Sequence, residues 1–598
     1  MNAPFRFTAA VGLLAFMVLA FNAVSAVYGT NDERSGKPMD PRNIVAGMRI
    51  PDQGYCDQPY VVVTREGHWL CTLTTGAGHE GQGGQHVVAT ISKDQGKTWS
   101  PLIDIEPANG PEASWICPLI TPSGRVYGFY TYNGDRIKTL PGSKRKIRAD
   151  MLGWYCYKYS DDNGKTWSKR HRIPVRTTAC DRANQWQGKV QIFWGIDKPK
   201  VSNSGVRFAF TKLGKYMLDH GEGWMVHSDN ILTEPDVSKI HWKVLPDGEH
   251  GIRAKEFGSV QEEHNHVTLG DKRLYMVYRT TMGYPCHTYS SDGGRTWDKP
   301  VPMTYTPGGR RIPGNRACPK LWKTKNGKYL FWFHLHGGKN FNDRNPAWLL
   351  GGLEKEGKIH WSQPELLLFD DNPKVRMSYP DLIEQDGRYW VTETQKTVAR
   401  IHELDASLLE GLWSQGQVKE VAKNALLLTA GEKEIASGSV SLPKLDITKT
   451  AGMSVDFWIE LEDGKPGQVV ADARDAKGRG WVIVTGEKGT LRIELNDGKN
   501  KASWDCDAGR IQPGKRHHVA IIVDDAPKII RFIVNGIFCD GVGQRQFGWG
   551  RYKAHLGDVT GSGTLKLAKC LKSLRVYGRY LRTSEAVGNL HAGGATRP

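Results

Sequence analysis

Between residues 40 and 415, short apolar runs alternate with polar, glycine-bearing turns, and two patterns recur. In the first, a strand-like run, a turn with glycine and an aromatic-rich run follow one another. Examples are "PYVVVTREGHWLCTL", "CPLITPSGRVYGFY", "HVTLGDKRLYMVYR", "CPKLWKTKNGKYLFWF" and "YPDLIEQDGRYWVTE". In the second, an apolar run such as "QHVVATI" or "GWYCYKY" leads into S-x-D-x-G-x-T-W. This box is present as "SKDQGKTW" from Ser92, "SDDNGKTW" from Ser160 and "SSDGGRTW" from Ser290. Its chemistry is that of a tight turn: the aspartate accepts backbone N–H groups a few residues on, and glycine supplies positive φ without steric cost. The threonine returns the chain to strand geometry, and the tryptophan covers the hairpin with a large apolar face.

The spacing makes these turns a repeat. Ser92 and Ser160 are 68 residues apart, and Ser160 and Ser290 are 130 apart, close to twice that period. A worn copy fits between them, "HSDNILTEPDVSKIHW" ending at Trp242. Two more follow, "GGLEKEGKIHW" ending at Trp361 and "HELDASLLEGLW" ending at Trp413. Short strands of regular spacing predict an all-β fold, and a period of this length suits propeller blades. Six tryptophan-closed units predict a six-bladed β-propeller over residues 40–415. Beyond Trp413 the pattern changes. Alternating strands such as "MSVDFWIEL", "RHHVAIIVDD" and "LKSLRVYGRYL" predict a separate β-sandwich over residues 430–590.

Composition adds the setting. A chain of 598 residues is long for one domain and suits two. The first segment combines Arg6, an apolar stretch and small residues at Val24, Ser25 and Ala26. That predicts a signal peptide over residues 1–26 and a secreted or periplasmic protein. No other run approaches a transmembrane span, so no membrane partner is expected. Ten cysteines agree with an oxidising compartment but show no zinc-like or dense disulfide spacing; Cys506, Cys539 and Cys570 are candidates for one bridge. A formal charge of +18 in an exported protein points to acidic oligo- or polysaccharides rather than nucleic acid. The expected species is a monomer without cofactor or metal.

The three boxes resemble the Asp-boxes of sialidases and their relatives, six-bladed propellers that carry them on the rim. The boxes are structural in that family, so the resemblance implies fold rather than activity. The C-terminal strands resemble the laminin-G-like, concanavalin A-type jelly roll through Phe457-Trp458, His517-His518-Val519-Ala520, Asn535-Gly536, Tyr577, Arg579 and Leu581. Such domains bind carbohydrate or brace a catalytic neighbour.

The family resemblance also implies a chemistry. A sialidase substrate bears a carboxylate on the anomeric carbon, so an Asp or Glu nucleophile would meet like charge. The family instead uses a tyrosine activated by a glutamate, three arginines around the carboxylate, and an aspartic acid as acid/base. "EEHNHVTLGDKRLYMVYR" resembles the segment with the activating glutamate and the second arginine, which nominates Glu263 (or Glu262) and Arg279. "DRNPAWLLGGLEKEGKIHW" nominates Arg344 as the third arginine. "MSYPDLIEQDGRYWVTE" nominates Tyr379 as nucleophile, with Glu393 supporting the arginines. The function implied is a glycoside hydrolase acting on glycans with sialic, ulosonic or uronic acids. Read without the resemblance, Tyr379 is one more strand tyrosine and the charged groups are interblade ion pairs.

Two departures matter. "MRIP" nominates Arg49 as the first arginine, yet the blade register puts Asp57 where that arginine belongs. The loop before the first box holds no aspartate and offers His79, Glu80 and His86. Glu80 would serve as acid/base if burial raised its pKa. Histidines 79, 86, 264, 266, 334 and 336 fall on segments expected near the axis and support a rival reading. In it a polysaccharide lyase uses Arg279 to neutralise a uronate while Tyr379 and His86 or His264 move protons. A third reading is a non-catalytic glycan-binding protein.

Overall fold

Each pair of apolar runs joined by a glycine turn folds as an antiparallel hairpin, and six such hairpins extend into six sheets around an axis. The computed structural model describes residues 31–32 and 37–593; the segment read as a signal peptide, residues 1–26, lies outside them. Blade 1 contains Tyr55–Val63, Trp69–Gly76, His86–Ser92 and Ile103–Asp104, and blade 2 contains Ala113–Ile120, Val126–Tyr132, Trp154–Ser160 and His171–Arg172. Blade 3 is built on Phe193–Trp194, Gly205–Lys215, Asp219–Ser228 and Lys243–Leu245. Blade 4 runs through Gln261–Thr268, Leu274–Thr280, Cys286–Ser290 and Val301–Pro302, and blade 5 through Lys320–Lys323, Tyr329–Phe333, Ala347–Lys355 and Lys358–Trp361. Blade 6 supplies Leu382–Gln385, Arg388–Thr394 and Ala399–Leu404, and its outermost strand is Met48–Ile50 from the other end of the chain. That strand closes the ring.

The three boxes have one geometry. In the first, Ser92 Oγ donates to Asp94 at 2.8 Å and accepts from the Gly96 N–H at 2.8 Å, while Thr98 Oγ1 donates to Asp94 at 2.6 Å. Ser160, Asp162, Gly164 and Thr166 repeat it, as do Ser290, Asp292, Gly294 and Thr296. All three turns join the third and fourth strands, on the rim. The worn copies differ. Asn230 replaces the aspartate in blade 3, where it accepts from the His241 N–H. The Trp361 copy is a plain hairpin. The Trp413 copy is not a strand but a helix, Ala406–Trp413, capped by Asp405. The Asp405 cap starts a helix where a fourth strand was expected, and that edge is left to Met48–Ile50.

The innermost strands carry a shared irregularity. Register slips by one residue at Asp57/Tyr60, Ser114/Cys117 and Glu262/Asn265. At each bulge a non-glycine residue takes positive φ: Gln58 at 50°, Trp115 at 58° and Glu263 at 56°. Tyr379, at φ 48°, lies between the Ser378–Thr394 bridge and the Leu382–Val391 pair, at the corresponding point of blade 6. Such bulges re-aim side chains and concentrate strained backbone at functional sites. Polar side chains just beyond them lock neighbouring blades together: Asp381 accepts the Val61 N–H at 2.8 Å and Asn265 the Leu321 N–H at 2.9 Å.

The C-terminal region is a two-sheet jelly roll. One sheet runs Leu426–Ala430, Leu571–Tyr577, Gly452–Glu460, Arg516–Asp524, Ile529–Val534, Ile537–Phe538; the other runs Ser439–Ser441, Thr564–Leu567, Val469–Asp472, Gly480–Gly486, Thr490–Asn496, Lys501–Asp505. Strand Arg516–Asp524 is apolar on both faces. Val519, Ile521 and Val523 fill the sandwich, while Ala520 and Ile522 pack with Tyr275, Phe331, Trp348 and Trp361 of the propeller. All ten cysteines are free thiols, which corrects the expected bridge; Cys506 and Cys539 are buried in the sandwich as small apolar groups. Among the described residues no helix is long and apolar enough to cross a membrane.

Candidate active site

Tyr379 and Glu263 meet at the axis. The Tyr379 hydroxyl donates to Glu263 Oε1 at 2.7 Å, and the tyrosine is 7% exposed. Burial first, then the Glu263 charge, push the phenol pKa well above its ordinary value, against the pull of Arg279 and Arg344. The hydroxyl is therefore neutral and already aimed at a base. Glu263 Oε2 is buried without a hydrogen-bond partner among the described residues.

The bulge at Glu262/Asn265 lets two consecutive glutamates reach the same arginine, which a regular strand would forbid by pointing them to opposite faces. Arg279 Nε donates to Glu262 at 2.8 Å, and its Nη1 lies 2.8 Å from Glu263 Oε1. That second contact is electrostatic, since Nη1 makes no aligned hydrogen bond. Arg316 holds the other side of Glu262 at 2.7 and 3.2 Å. The two glutamates share Arg279 but differ otherwise: Glu262 is clamped by a second arginine, Arg316, and Glu263 faces the tyrosine. Arg344 reaches Ser378 Oγ at 2.8 Å, next to Tyr379, and the Phe341 ring lies under all three guanidiniums at 4.2–5.6 Å.

The opposite side of Tyr379 combines the nominated Asp57 and Glu80 with groups that the sequence pattern did not single out. Lys396 Nζ lies 4.2 Å from the centre of the Tyr379 ring. It is paired with Asp57 and, at 3.3 Å, with Glu80. Arg148 bridges Glu80 at 2.8 Å and Asp150 at 2.7 Å and lies over Trp115. Asp57 also accepts the Tyr55 hydroxyl at 2.9 Å. Asp57 thus faces this cluster and pairs with Lys396.

Several nominated residues are placed differently. Arg49 lies on the outermost strand of blade 6 opposite Arg400, 66% exposed at its side chain and paired with Asp52 at 3.8 Å. The "MRIP" segment is consumed by ring closure, so its arginine does not reach the axis. Glu393 bonds Gln395 at 2.9 Å and approaches His402 at 3.7 Å; it sits opposite Arg400 and does not support Arg279 or Arg344. Glu80 is not a raised acid. Burial alone would raise it, but Lys396 and Arg148 bring its pKa down to about 2.

The histidines do not converge on Tyr379. His86 bonds the Gly84 carbonyl at 3.2 Å and approaches Asp104, on the outermost strand of blade 1. His264 is stacked on Tyr278 and bonded to Thr211, and burial pushes its pKa down to about 3. His266 bonds Asp197 at 2.6 Å, and His334 lies between the Pro346 and Met377 carbonyls. His336 bonds the Asp343 carbonyl, and His79 is exposed on the loop. For His264, the bulge at Glu262/Asn265 turns the side chain towards Thr211 of blade 3. Among the described residues no group of three His, Cys, Asp or Glu side chains is placed to hold a metal.

Fold and boxes together define a sialidase-like propeller joined to a concanavalin A-like domain. Residues 434–586 match the family described as Concanavalin A-like lectin/glucanases superfamily, and residues 158–169 match the BNR/Asp-box repeat. No curated protein matches the chain in sequence. Among solved structures, the chain is similar to a Trypanosoma rangeli sialidase in complex with sialic acid (10% identity, 92% of this chain and 97% of that one, TM-score 0.42). It is also similar to the Hadza microbial sialidase Hz136 (15%, 60% and 68%, 0.42) and to a protein of unknown function from Dyadobacter fermentans (14%, 60% and 97%, 0.46). At such identities none of them assigns a role to a residue of this chain.

Proposed function

We propose that the protein is a retaining glycosidase that removes an acidic sugar from glycans, with Tyr379 as nucleophile and Glu263 as its base. The observation that carries this reading is the 2.7 Å Tyr379–Glu263 hydrogen bond, held by two left-handed backbone positions at the axis. A neutral phenol approaches an anomeric carbon beside a carboxylate without charge repulsion, and Glu263 takes its proton as the C–O bond forms. Arg279 Nη1, free of an aligned partner, and Arg344 present positive charge to the sugar carboxylate, with Arg316 fixing Glu262 behind them. On the other side Lys396 supplies the charge of the missing arginine. Asp57, whose pKa burial raises against the opposing effect of Lys396, is the carboxyl that gives the leaving oxygen its proton. Water, giving its proton to Asp57, then cleaves the aryl glycosidic bond to Tyr379 while Glu263 returns the proton to the phenol oxygen, restoring the starting configuration. The protein acts outside the cytoplasm in this reading, consistent with the signal-like start of the chain.

The test is product analysis by NMR on a panel of glycans carrying sialic, ulosonic or uronic acids. Release of a free acidic sugar with retained anomeric configuration supports the reading. An unsaturated uronate product, or inversion, overturns it.

A further inference from the structure

We infer that a cavity between the propeller and the sandwich is a second subsite, which binds an acidic sugar residue further along the same glycan. It occupies about 700 Å³, and its walls are propeller residues 282–284, 310, 311, 313 and 337–339 together with sandwich residues 540 and 542–546. This inference rests on the glycan reading of the axial site but concerns different residues.

Three connecting segments tie the two places together. One carries Arg279 at the axis and Met282 and Tyr284 in the cavity; a second carries Arg311 in the cavity and Arg316 at the axis; a third carries Lys339 in the cavity and Arg344 at the axis. Each crosses in three to five residues, at most about 18 Å of extended chain. The sandwich side is fixed to the same segments: the Gly337 N–H donates to the Gln546 carbonyl at 2.8 Å, and Trp549 Nε1 donates to the Leu335 carbonyl at 2.7 Å.

The lining has the chemistry of an acidic-sugar site. Arg311 lies 5.0 Å over the Tyr284 ring, which is half-buried and offers an apolar face. Met282 and Val542 are 37% and 41% exposed, unusual for residues of their type. Two other cations are already neutralised, Arg310 by Asp540 and Arg545 by Asp505 and Asp507. Arg311 and Lys339, by contrast, are exposed and make no ion pair among the described residues. Sugar rings stack on aromatic and apolar faces, and two uncompensated cations select a carboxylate or a sulfate.

The test uses the full chain and two probes, an α2,8-linked oligosialic acid bearing only carboxylates and a chondroitin 4-sulfate oligosaccharide bearing sulfates as well. Calorimetric titration of the wild type is compared with the double variant Arg311→Ala/Lys339→Ala and, separately, with Val542→Trp, which narrows the cavity. Affinity for at least one probe falls about tenfold or more in both variants, and binding weakens with salt. Which probe responds tells carboxylate from sulfate. If neither probe binds, or either variant binds as the wild type does, the subsite does not exist. Hydrolysis of a small aryl glycoside of the acidic sugar separates the two readings. It is unchanged in the variants if the axial site works alone, and its absence in the wild type counts against the glycosidase and not against the cavity.

Discussion

At the scale of single residues the site depends on a few side chains held in uncommon backbone conformations. Tyr379→Phe removes one oxygen and keeps the ring, so the Lys396 contact and the packing survive. Turnover falls by about three orders of magnitude or more while the melting temperature stays within a degree or so of the wild type. Unchanged turnover in steady-state assays would remove the nucleophile. Asp57 carries a separate prediction. As a proton donor with a raised pKa, it makes the rate fall as pH rises through that pKa, because the donor form is lost. Asp57→Asn therefore abolishes the alkaline limb and slows poor leaving groups far more than activated aryl ones; equal slowing of both classes contradicts the role. Tyr379, Glu263, Arg279 and Arg344 could be nominated because the segments around them resemble those of a known family; Glu263 and Arg279 lie on strands of blade 4, while Tyr379 and Arg344 lie just ahead of strands of blades 6 and 5. Lys396 and Arg148 could not, since they lie in connecting turns and reach the axis only through the fold. Arg49 misled because its motif describes a local sequence, while its position is set by pairing with a strand some 350 residues away.

At the scale of elements the boxes are turns that stabilise blades from outside. Asp162 accepts from Ser160 Oγ, the Thr166 N–H and Thr166 Oγ1. Asp162→Ala loses all three, for a cost of about 1–3 kcal/mol after exposure is taken into account. The expected result is a lower melting temperature with unchanged kcat/KM of the folded protein. A selective loss of turnover would place the box in the chemistry. Hydrogen bonds from the threonines, outweighing burial, lower the pKa values of Asp94, Asp162 and Asp292. For a depressed carboxyl the contribution is complete above the unfolded pKa of about 4 and disappears as pH falls through the folded value. The stability gap between wild type and Asp162→Ala, measured by denaturant melts, closes below about pH 4. The box was legible in blades 1, 2 and 4, but its worn copies were not readable as structure. Nothing in "HELDASLLEGLW" distinguishes a degraded box from a helix except Asp405 at a capping position.

At the scale of the whole molecule, the propeller and the sandwich share a core. The run "HVAIIV" within Arg516–Asp524 lacks the alternation of a half-exposed strand, which is the mark of burial on both faces. Only the structure identifies what covers the second face: Ala520, Ile522, Ile529 and Ile533 lie against Trp348, Phe331 and Trp361. Arg42 adds a charged link, bonding Asp524 at 2.7 and 3.0 Å just before the strand that closes the ring. An interface built like a core couples the unfolding of its two sides. The wild type therefore gives one cooperative calorimetric transition. Ile522→Ala removes apolar contact at the shared face, a cost of about 2–5 kcal/mol that falls on docking rather than on the sandwich's own core. The variant separates into two transitions, the earlier one below that of the wild type. Two transitions in the wild type would show that the shared apolar face does not make the molecule one cooperative unit.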